Sequence, residues 1–286
     1  MKKIAIALLL VAAISLPQIS CKKFPIPKER VCQVKSIRHT YEGKESEVKY
    51  FYNNDRLLTS ITGDRSLDPP SPVTTTISYN NQDKPISGAN FNGTSFRYVY
   101  ENGNVERVED LGDGGEFILA YRYVYDDLGR VIQRTGRDSS VWYFEYSDNS
   151  RNYTRVRYYI WLRPDFGPEL FSVEEFQYDD KANPWTTWLN MPLNPFDFNI
   201  VSNGVSIQMP IPANNVTNYK LYFTQRGQPL LSDEFIYTYQ YDEQYPKVQN
   251  VERNVYNPFI PGYVETYYGI NYYTYECVGG KGNGKK

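Results

Sequence analysis

One phrase recurs along this chain and limits what it can fold into. It is an aromatic residue, any residue, a tyrosine, a polar turn, and then a short apolar–polar stretch. It reads YFYNNDRLLTSI at 50–61, ISYNNQDKPISG at 77–88, YVYENGNVERV at 98–108 and YVYDDLGRVIQRT at 123–135. It continues as FEYSDNSRNYTRV at 144–156 and FQYDDKANP at 176–184, with weaker copies at 220–232 (KLYFTQRGQPLLS) and 239–251 (YQYDEQYPKVQNV). Regular self-similarity marks a repeat architecture. Tyr52, Tyr79, Tyr100, Tyr125 and Tyr146 stand roughly two dozen residues apart, the length of two strands and two turns. Each repeat therefore reads as one β-hairpin.

The local chemistry agrees. Tyr121, Tyr123 and Tyr125 share one face of an extended segment, and Arg122 and Val124 share the other. Phe235, Tyr237, Tyr239 and Tyr241 alternate in the same way, with the period of two that defines a strand. Between the strands stand Asn53-Asn54-Asp55, Glu101-Asn102-Gly103-Asn104 and Asp126-Asp127-Leu128-Gly129, residue types that suit tight turns. With 28 Tyr, 14 Phe and 4 Trp in 286 residues, the chain carries too much aromatic surface to remain disordered. The expected fold is all-β: a large curved antiparallel meander sheet, an open or closed barrel-like shell, built from about eight repeated hairpins.

Tyr123-Val124-Tyr125-Asp126-Asp127-Leu128-Gly129-Arg130-Val131 resembles the YD repeat of RHS-type shells, whose core is Y-x-Y-D-x-x-G-R. Over residues 45–277 the chain also resembles a group of exported lipoproteins of Bacteroidetes-type bacteria. Those proteins carry a domain of unknown function with a porin-like fold. Two further phrases carry the resemblance: Tyr178-Asp179-Asp180-Lys181-Ala182-Asn183-Pro184-Trp185 and Asn214-Asn215-Val216-Thr217. The resemblance implies a strongly curved antiparallel sheet or barrel-like shell and brings no established activity. A membrane-spanning barrel needs an apolar, lipid-facing side on its strands. Here the face opposite the tyrosines holds Arg97, Arg122, Glu145 and Gln177, so a water-facing shell is expected.

The start of the chain reads as an export signal. Lys2 and Lys3 precede an apolar run from Ile4 to Ile14, too short to span a membrane as a helix. Cys21 follows Ser20, which resembles the bacterial lipoprotein signal, in which that thiol is lipidated. Gln18 departs from the aliphatic residue usual at its position. The expected organisation is a signal over 1–20, a tether over 21–30, one β domain over 31–278, and a Gly-rich tail over 279–286. A lipid on Cys21 would tether the domain to the outer membrane, facing either side, without spanning it. Cys32 and Cys277 open and close the folded region. In an exported protein they read either as a disulfide or as two buried thiols.

The repeat is interrupted over 160–216, where Pro164, Pro168, Pro184, Pro192, Pro195, Pro210 and Pro212 exclude regular central strands. Trp161, Trp185, Trp188, Met191 and Met209 also fall there. A long irregular connection of this kind is either a plug or a functional lid. The plainer reading is a plug, with Trp185, Trp188, Leu189, Met191, Leu193, Phe196 and Phe198 covering an open end of the sheet. As a ligand-binding or partner-binding lid, its contact residues would be Trp185, Trp188, Trp161 and Met191.

The chemistry is sparse. A single histidine, His39, excludes any multi-His metal centre. There is no G-x-S-x-G, no H-E-x-x-H, no C-x-x-C and no phosphate-binding glycine loop. No metal, no cofactor and no enzymatic activity is expected. A formal net charge of -2 gives no electrostatic reason to bind nucleic acid. The only membrane contact expected is through the N-terminal lipid. The leading reading is a non-catalytic lipoprotein that binds a glycan, an apolar molecule or an envelope protein, because Tyr and Trp combine flat apolar faces with polar edges. Alternatives are a purely structural envelope component and a carboxylate-dependent glycoside-active enzyme. The enzyme would need two acids about 5–10 Å apart. Adjacent acids occur at Asp126/Asp127, Glu174/Glu175 and Asp179/Asp180, at turns or strand ends.

Overall fold

The computed structural model describes residues 31–278 apart from 68–69, 90–92, 162–166, 189–190, 195–207, 226, 258–259 and 261. The export signal, Cys21, the tether, the tail, Leu189, Phe196 and Phe198 lie outside the described residues. Sixteen strands follow one another. They are β1 Val31–Tyr41, β2 Lys44–Tyr52, β3 Leu58–Leu67, β4 Pro70–Tyr79, β5 Pro85–Ala89, β6 Ser95–Glu101, β7 Asn104–Leu111 and β8 Phe117–Tyr125. Next come β9 Val131–Gly136, β10 Val141–Tyr146, β11 Tyr153–Ile160, β12 Glu169–Ala182, β13 Asn214–Gln225, β14 Gln228–Asp242, β15 Tyr245–Tyr256 and β16 Val264–Val278. Each is hydrogen-bonded to its sequence neighbours, and β1 meets β16, so the sheet closes into a barrel. Of the open and closed shells the sequence allowed, the closed one is present. Cys32 and Cys277 form a disulfide across the β1–β16 seam, beside a Ser36–Thr274 hydroxyl contact of 2.8 Å.

The tyrosines have a specific structural use. Every even-numbered strand carries, at or near its end, a tyrosine whose hydroxyl donates to a backbone carbonyl near the start of the preceding odd strand. The pairs are Tyr52 to Val34, Tyr79 to Leu58, Tyr100 to Pro85, Tyr125 to Val105, Tyr146 to Val131, Tyr178 to Tyr153, Tyr239 to Val216 and Tyr275 to Pro246, between 2.7 and 2.9 Å. In each case the ladder stops two residues short of that carbonyl. For example, the β7–β8 ladder begins at Arg107↔Arg122, leaving Val105 beyond it. A backbone acceptor without a partner in a half-buried place is costly. The phenol hydroxyl replaces the missing ladder donor, which phenylalanine could not do.

The ladders stop there because the wall is bulged. Register shifts fall at Phe51/Tyr52, Ser78/Tyr79, Val99/Tyr100, Val124/Tyr125, Glu145/Tyr146 and Gln177/Tyr178. A bulge bends and twists a strand, which a closing barrel needs. The following Asn or Asp shapes the turn. Asn53 Oδ1 accepts from the backbone N–H of Asp55 and Leu57, and Asp126 Oδ1 accepts from Leu128 and Arg130, all within 3.0 Å.

The copy at 220–232 is not a repeat of this kind. Tyr222 lies near the opposite rim and its hydroxyl donates to Glu175. The eighth strand-end tyrosine is Tyr275. The irregular stretch is also narrower than 160–216, since β12 runs through it as a fourteen-residue strand. Pro164 and Pro168 precede that strand and Pro184 follows it.

Sixteen strands enclose more space than wall side chains alone can fill. The inward tyrosines and a plug fill much of it, in two clusters. One gathers Phe96, Tyr98, Tyr123, Phe144, Tyr153 and Phe176 with Leu193 and Met209 of the plug. The other gathers Ile37, Tyr50, Leu58 and Ile61 with Trp185, Trp188 and Met191. The outer face differs. Ion pairs Arg97–Glu109 (2.6 Å), Arg155–Glu175 (2.7 Å) and Lys220–Glu234 (3.3 Å) cross neighbouring strands there, and Arg107–Glu109 (2.6 Å) runs along β7.

Candidate functional site

The plug is the tyrosine-end connection after β12, and its described residues are 183–188, 191–194 and 208–213. Its neck joins the two phrases that carried the lipoprotein resemblance. Asn183, fully buried, follows β12 and caps a 3-10 turn, Pro184–Thr187, by accepting from the Trp185 N–H at 3.0 Å. Asp179 Oδ1 accepts from the Asn215 N–H at 3.2 Å, and Tyr241 donates its hydroxyl to Asp179 Oδ2. Asn214 Nδ2 donates to the Lys181 carbonyl at 3.0 Å. Asn152 Oδ1 accepts from the Ala213 and Asn214 N–H groups. Further in, Leu193 bridges to Pro210, and the Asn194 N–H donates to the Met209 carbonyl at 2.8 Å. Two wall tyrosines hold the plug from the side: Tyr123 donates to the Gln208 carbonyl at 3.0 Å and Tyr153 to that of Pro210 at 3.4 Å.

Trp185 and Trp188, each 3% exposed, turn onto the wall. Their rings lie 4.7 Å apart, and 5.3 and 5.9 Å from Tyr50. Trp188 Nε1 donates to the Tyr52 hydroxyl at 3.1 Å. Met191 is buried with them. Trp161 is placed elsewhere: it follows β11 at the opposite end of the barrel and is 45% exposed. The structure thus brings three of the four candidate contact residues together and leaves Trp161 out.

Between plug and wall lies a cavity of about 440 Å³. Its wall side carries Tyr100, Tyr125 and Tyr146, and its plug side carries Trp185, Trp188, Met191 and Ile211. Lys84, Arg130 and Arg151 also line it, and among the described residues no Asp or Glu does. Sequence reasoning overlooked these cations, although the repeat contains them. Each is the fifth residue after a repeat tyrosine: Tyr79, Tyr125 and Tyr146. Arg130 is fixed in place. Its Nε and Nη2 lie 2.7 Å from Asp126 Oδ2, its Nη1 reaches the Asp148 and Ser150 carbonyls, and its guanidinium stacks 4.3 Å over the Tyr146 ring. Lys84 Nζ lies 5.3 Å over the Tyr100 ring.

The lumen beyond the plug is polar. His39 and Asn271 share a hydrogen bond; Asn271 Nδ2 donates to Gln249 Oε1 at 2.7 Å, and Gln249 Nε2 donates to the Tyr239 hydroxyl at 3.0 Å. Because Asn271 spends its amide on Gln249, its oxygen faces His39, which sets the Nδ1–H tautomer. Burial lowers the His39 pKa, and the Asn271 bond opposes that shift. Glu174 also faces inward. Burial pushes its carboxyl up to about 7, against the Tyr219 hydrogen bond and the nearby Arg134 charge. Asp233 is held by Arg253, whose Nε and Nη2 both donate to its Oδ1. The adjacent acids do not converge. Strand alternation turns Glu174 inward and Glu175 outward onto Arg155, while Asp126 and Asp179 hold turns. Among the described residues, no group of three His, Cys, Asp or Glu side chains could hold a metal ion.

No protein-family pattern matches the chain, and no curated protein matches it. In structure it is similar to a porin-like protein from Bacteroides uniformis ATCC 8492, with a TM-score of 0.51 and 15% identity over 85% of this chain and 96% of that one. A porin-like protein from Bacteroides vulgatus ATCC 8482 gives 0.46 and 12% over 86% and 99%. The likeness to the first shows a shared barrel fold.

Proposed function

We propose that the chain is a non-catalytic cell-envelope lipoprotein, anchored to the outer membrane through Cys21, that binds a glycan-like ligand at the plugged end of its barrel. The observation that carries the reading is the cavity between plug and wall, lined by tyrosine rings, tryptophans and cations. A plug serving only as core would fill that space; here the tryptophans are sealed and a cavity remains beside them. The outer ion pairs support a shell that stands in water, since a charge facing mid-bilayer costs a barrel about 2–4 kcal/mol. Glu174 and Glu175 point to opposite faces and Asp233 is salt-bridged to Arg253, which supports a non-catalytic role.

The test uses the full chain on a glycan array and in a lipid-extract pull-down, beside Asn104→Trp. Asn104 is exposed and lines the cavity, so the indole fills the space without touching the core. Wild type is expected to retain a ligand that Asn104→Trp loses at an unchanged melting temperature. Equal binding by both proteins removes the cavity from the reading. Mass spectrometry of the mature N-terminus tests the anchor: a lipidated Cys21 is expected, and an unmodified one refutes it.

A further inference from the structure

We infer that the cavity at the plugged end takes an anionic oligosaccharide, a chain of sugar units bearing carboxylate or sulfate groups. This deepens the ligand-binding reading above and rests on it. The first argument is charge. The whole chain carries a formal -2, yet among the described residues this cavity is lined by three cations and no carboxylate. Arg130 is neutralised within the fold by Asp126. Lys84 and Arg151 have no acidic partner among the described residues, and the Tyr100 ring beneath Lys84 supplies no formal charge. Two uncompensated positive charges beside an apolar wall focus the local field on an anion. The repeat itself sets them there, because both occupy the fifth position after a strand-end tyrosine.

The second argument is shape. Lys84 stands in the turn after β4 and Arg151 in the turn after β10. Six strand spacings separate them, roughly 29 Å along the wall at ~4.8 Å each. A ligand that meets both is a chain, not a single sugar or a free ion. Tyr100, Tyr125 and Tyr146 lie between them on every second strand, roughly 10 Å apart. Their hydroxyls are bonded to backbone carbonyls, so the rings are fixed before any ligand arrives, and preorganised flat faces lower the cost of binding. Aromatic faces with polar edges match a pyranose ring, which is apolar on one face and hydroxylated at its rim.

The test titrates the full chain with hexagalacturonate, a heparin hexasaccharide, neutral maltohexaose, galacturonate and hexathymidylate. At least one anionic hexasaccharide is expected to bind ten-fold or more tightly than maltohexaose and than galacturonate, and to weaken as NaCl rises. Lys84→Gln/Arg151→Gln is expected to reduce that binding ten-fold or more without moving the melting temperature. Equal or tighter binding of maltohexaose, with Asn104→Trp abolishing it, overturns the anionic class while leaving a ligand site standing. Tighter binding of hexathymidylate also overturns it, in favour of a nucleic-acid strand. An unchanged affinity in the double variant removes the two cations from the site. No binding of any probe, together with a blank array, overturns this inference and the ligand-binding reading together.

Discussion

The wall and the plug of this barrel solve the burial problem in opposite ways. The wall uses one device eight times, a tyrosine hydroxyl on a stranded carbonyl, and supports it in most copies with a bulge and in several with a turn held by a carboxylate or amide. Its stability is spread over many small, equivalent terms. The plug uses each residue once. Trp185, Trp188, Leu193 and Met209 fill space that no wall repeat can reach, and its backbone is tied by single bonds such as Asn183 to Trp185. A periodic element is robust to the loss of one member, whereas an aperiodic filler is not.

The largest expected effect tests what closes the wall. The Cys32–Cys277 bond spans a sequence separation of 245. Chain-entropy estimates for so long a loop are about 5 kcal/mol. Cys32→Ser/Cys277→Ser is therefore expected to lower the denaturant midpoint by several kcal/mol's worth, read by equilibrium unfolding. If the midpoint barely moves, the β1–β16 ladder holds the seam without help. The plug comes next. Trp188→Ala is expected to cost roughly 3–5 kcal/mol, the range for a buried large-to-small change. A loss below 1 kcal/mol would mean that the plug is not part of the cooperative core.

The lumen gives a pH signature that the wall lacks. The Glu174 pKa is raised to about 7, so the folded state holds a proton that the unfolded chain releases near pH 4.3. That contribution is fully present below pH 4.3 and is lost as pH rises toward 7. The His39 pKa is lowered. Its contribution is present above pH 6.5 and is lost as pH falls below that value. Glu174→Gln should therefore remove a decline in stability between pH 4.3 and 7, and His39→Gln should remove a decline below 6.5. Identical pH profiles for wild type and both variants would rule these groups out.

A single wall tyrosine should matter less. Tyr125→Phe keeps the ring and strands the Val105 carbonyl, at an expected cost of about 1 kcal/mol. If several such variants cost nothing, water replaces the hydroxyl and the tyrosines serve only as bulk.

The wall was legible in the sequence because it is local and periodic. Tyr52, Tyr79, Tyr100, Tyr125 and Tyr146 could be counted, and their alternation with Arg and Val assigned faces. Phase was harder to read. A strand followed by a polar turn looks the same at both rims, so Tyr222, which donates to Glu175 on the outside, passed for a repeat member and Tyr275 went unnoticed. Closure could not be read, because it depends on β1 meeting β16 across the whole chain. The plug could be recognised only as an interruption. Which tryptophans meet depends on where the chain re-enters the lumen, and Trp161 is separated from Trp185 by the length of β12. The cations of the cavity were written in the repeat, but as single positions in three copies, which a search for clustered motifs passes over.

The smallest effect discriminates between copies of the same turn. Four residues after the repeat tyrosine, the backbone is left-handed in at least three copies: φ is 65° at Arg56, 60° at Asp83 and 72° at Gly129. Each donates its N–H back across the turn, to Asn53, Asn80 and Asp126 respectively, at 3.0–3.1 Å. Only Gly129 holds that conformation without steric cost, which for other residues is roughly 1–2 kcal/mol. Glycine gives back part of this, roughly 0.5–1 kcal/mol, through greater chain entropy when unfolded. Asp83→Gly should therefore stabilise by about 0.5 kcal/mol, and Gly129→Ala should destabilise by about the same amount or somewhat more. Both are measured as midpoint shifts at constant denaturant slope. If the turns are equivalent, the two shifts have opposite signs and similar size. If Gly129→Ala costs far more, the turn beside the cavity is under tighter constraint than its sibling, and the wall is less uniform than its sequence.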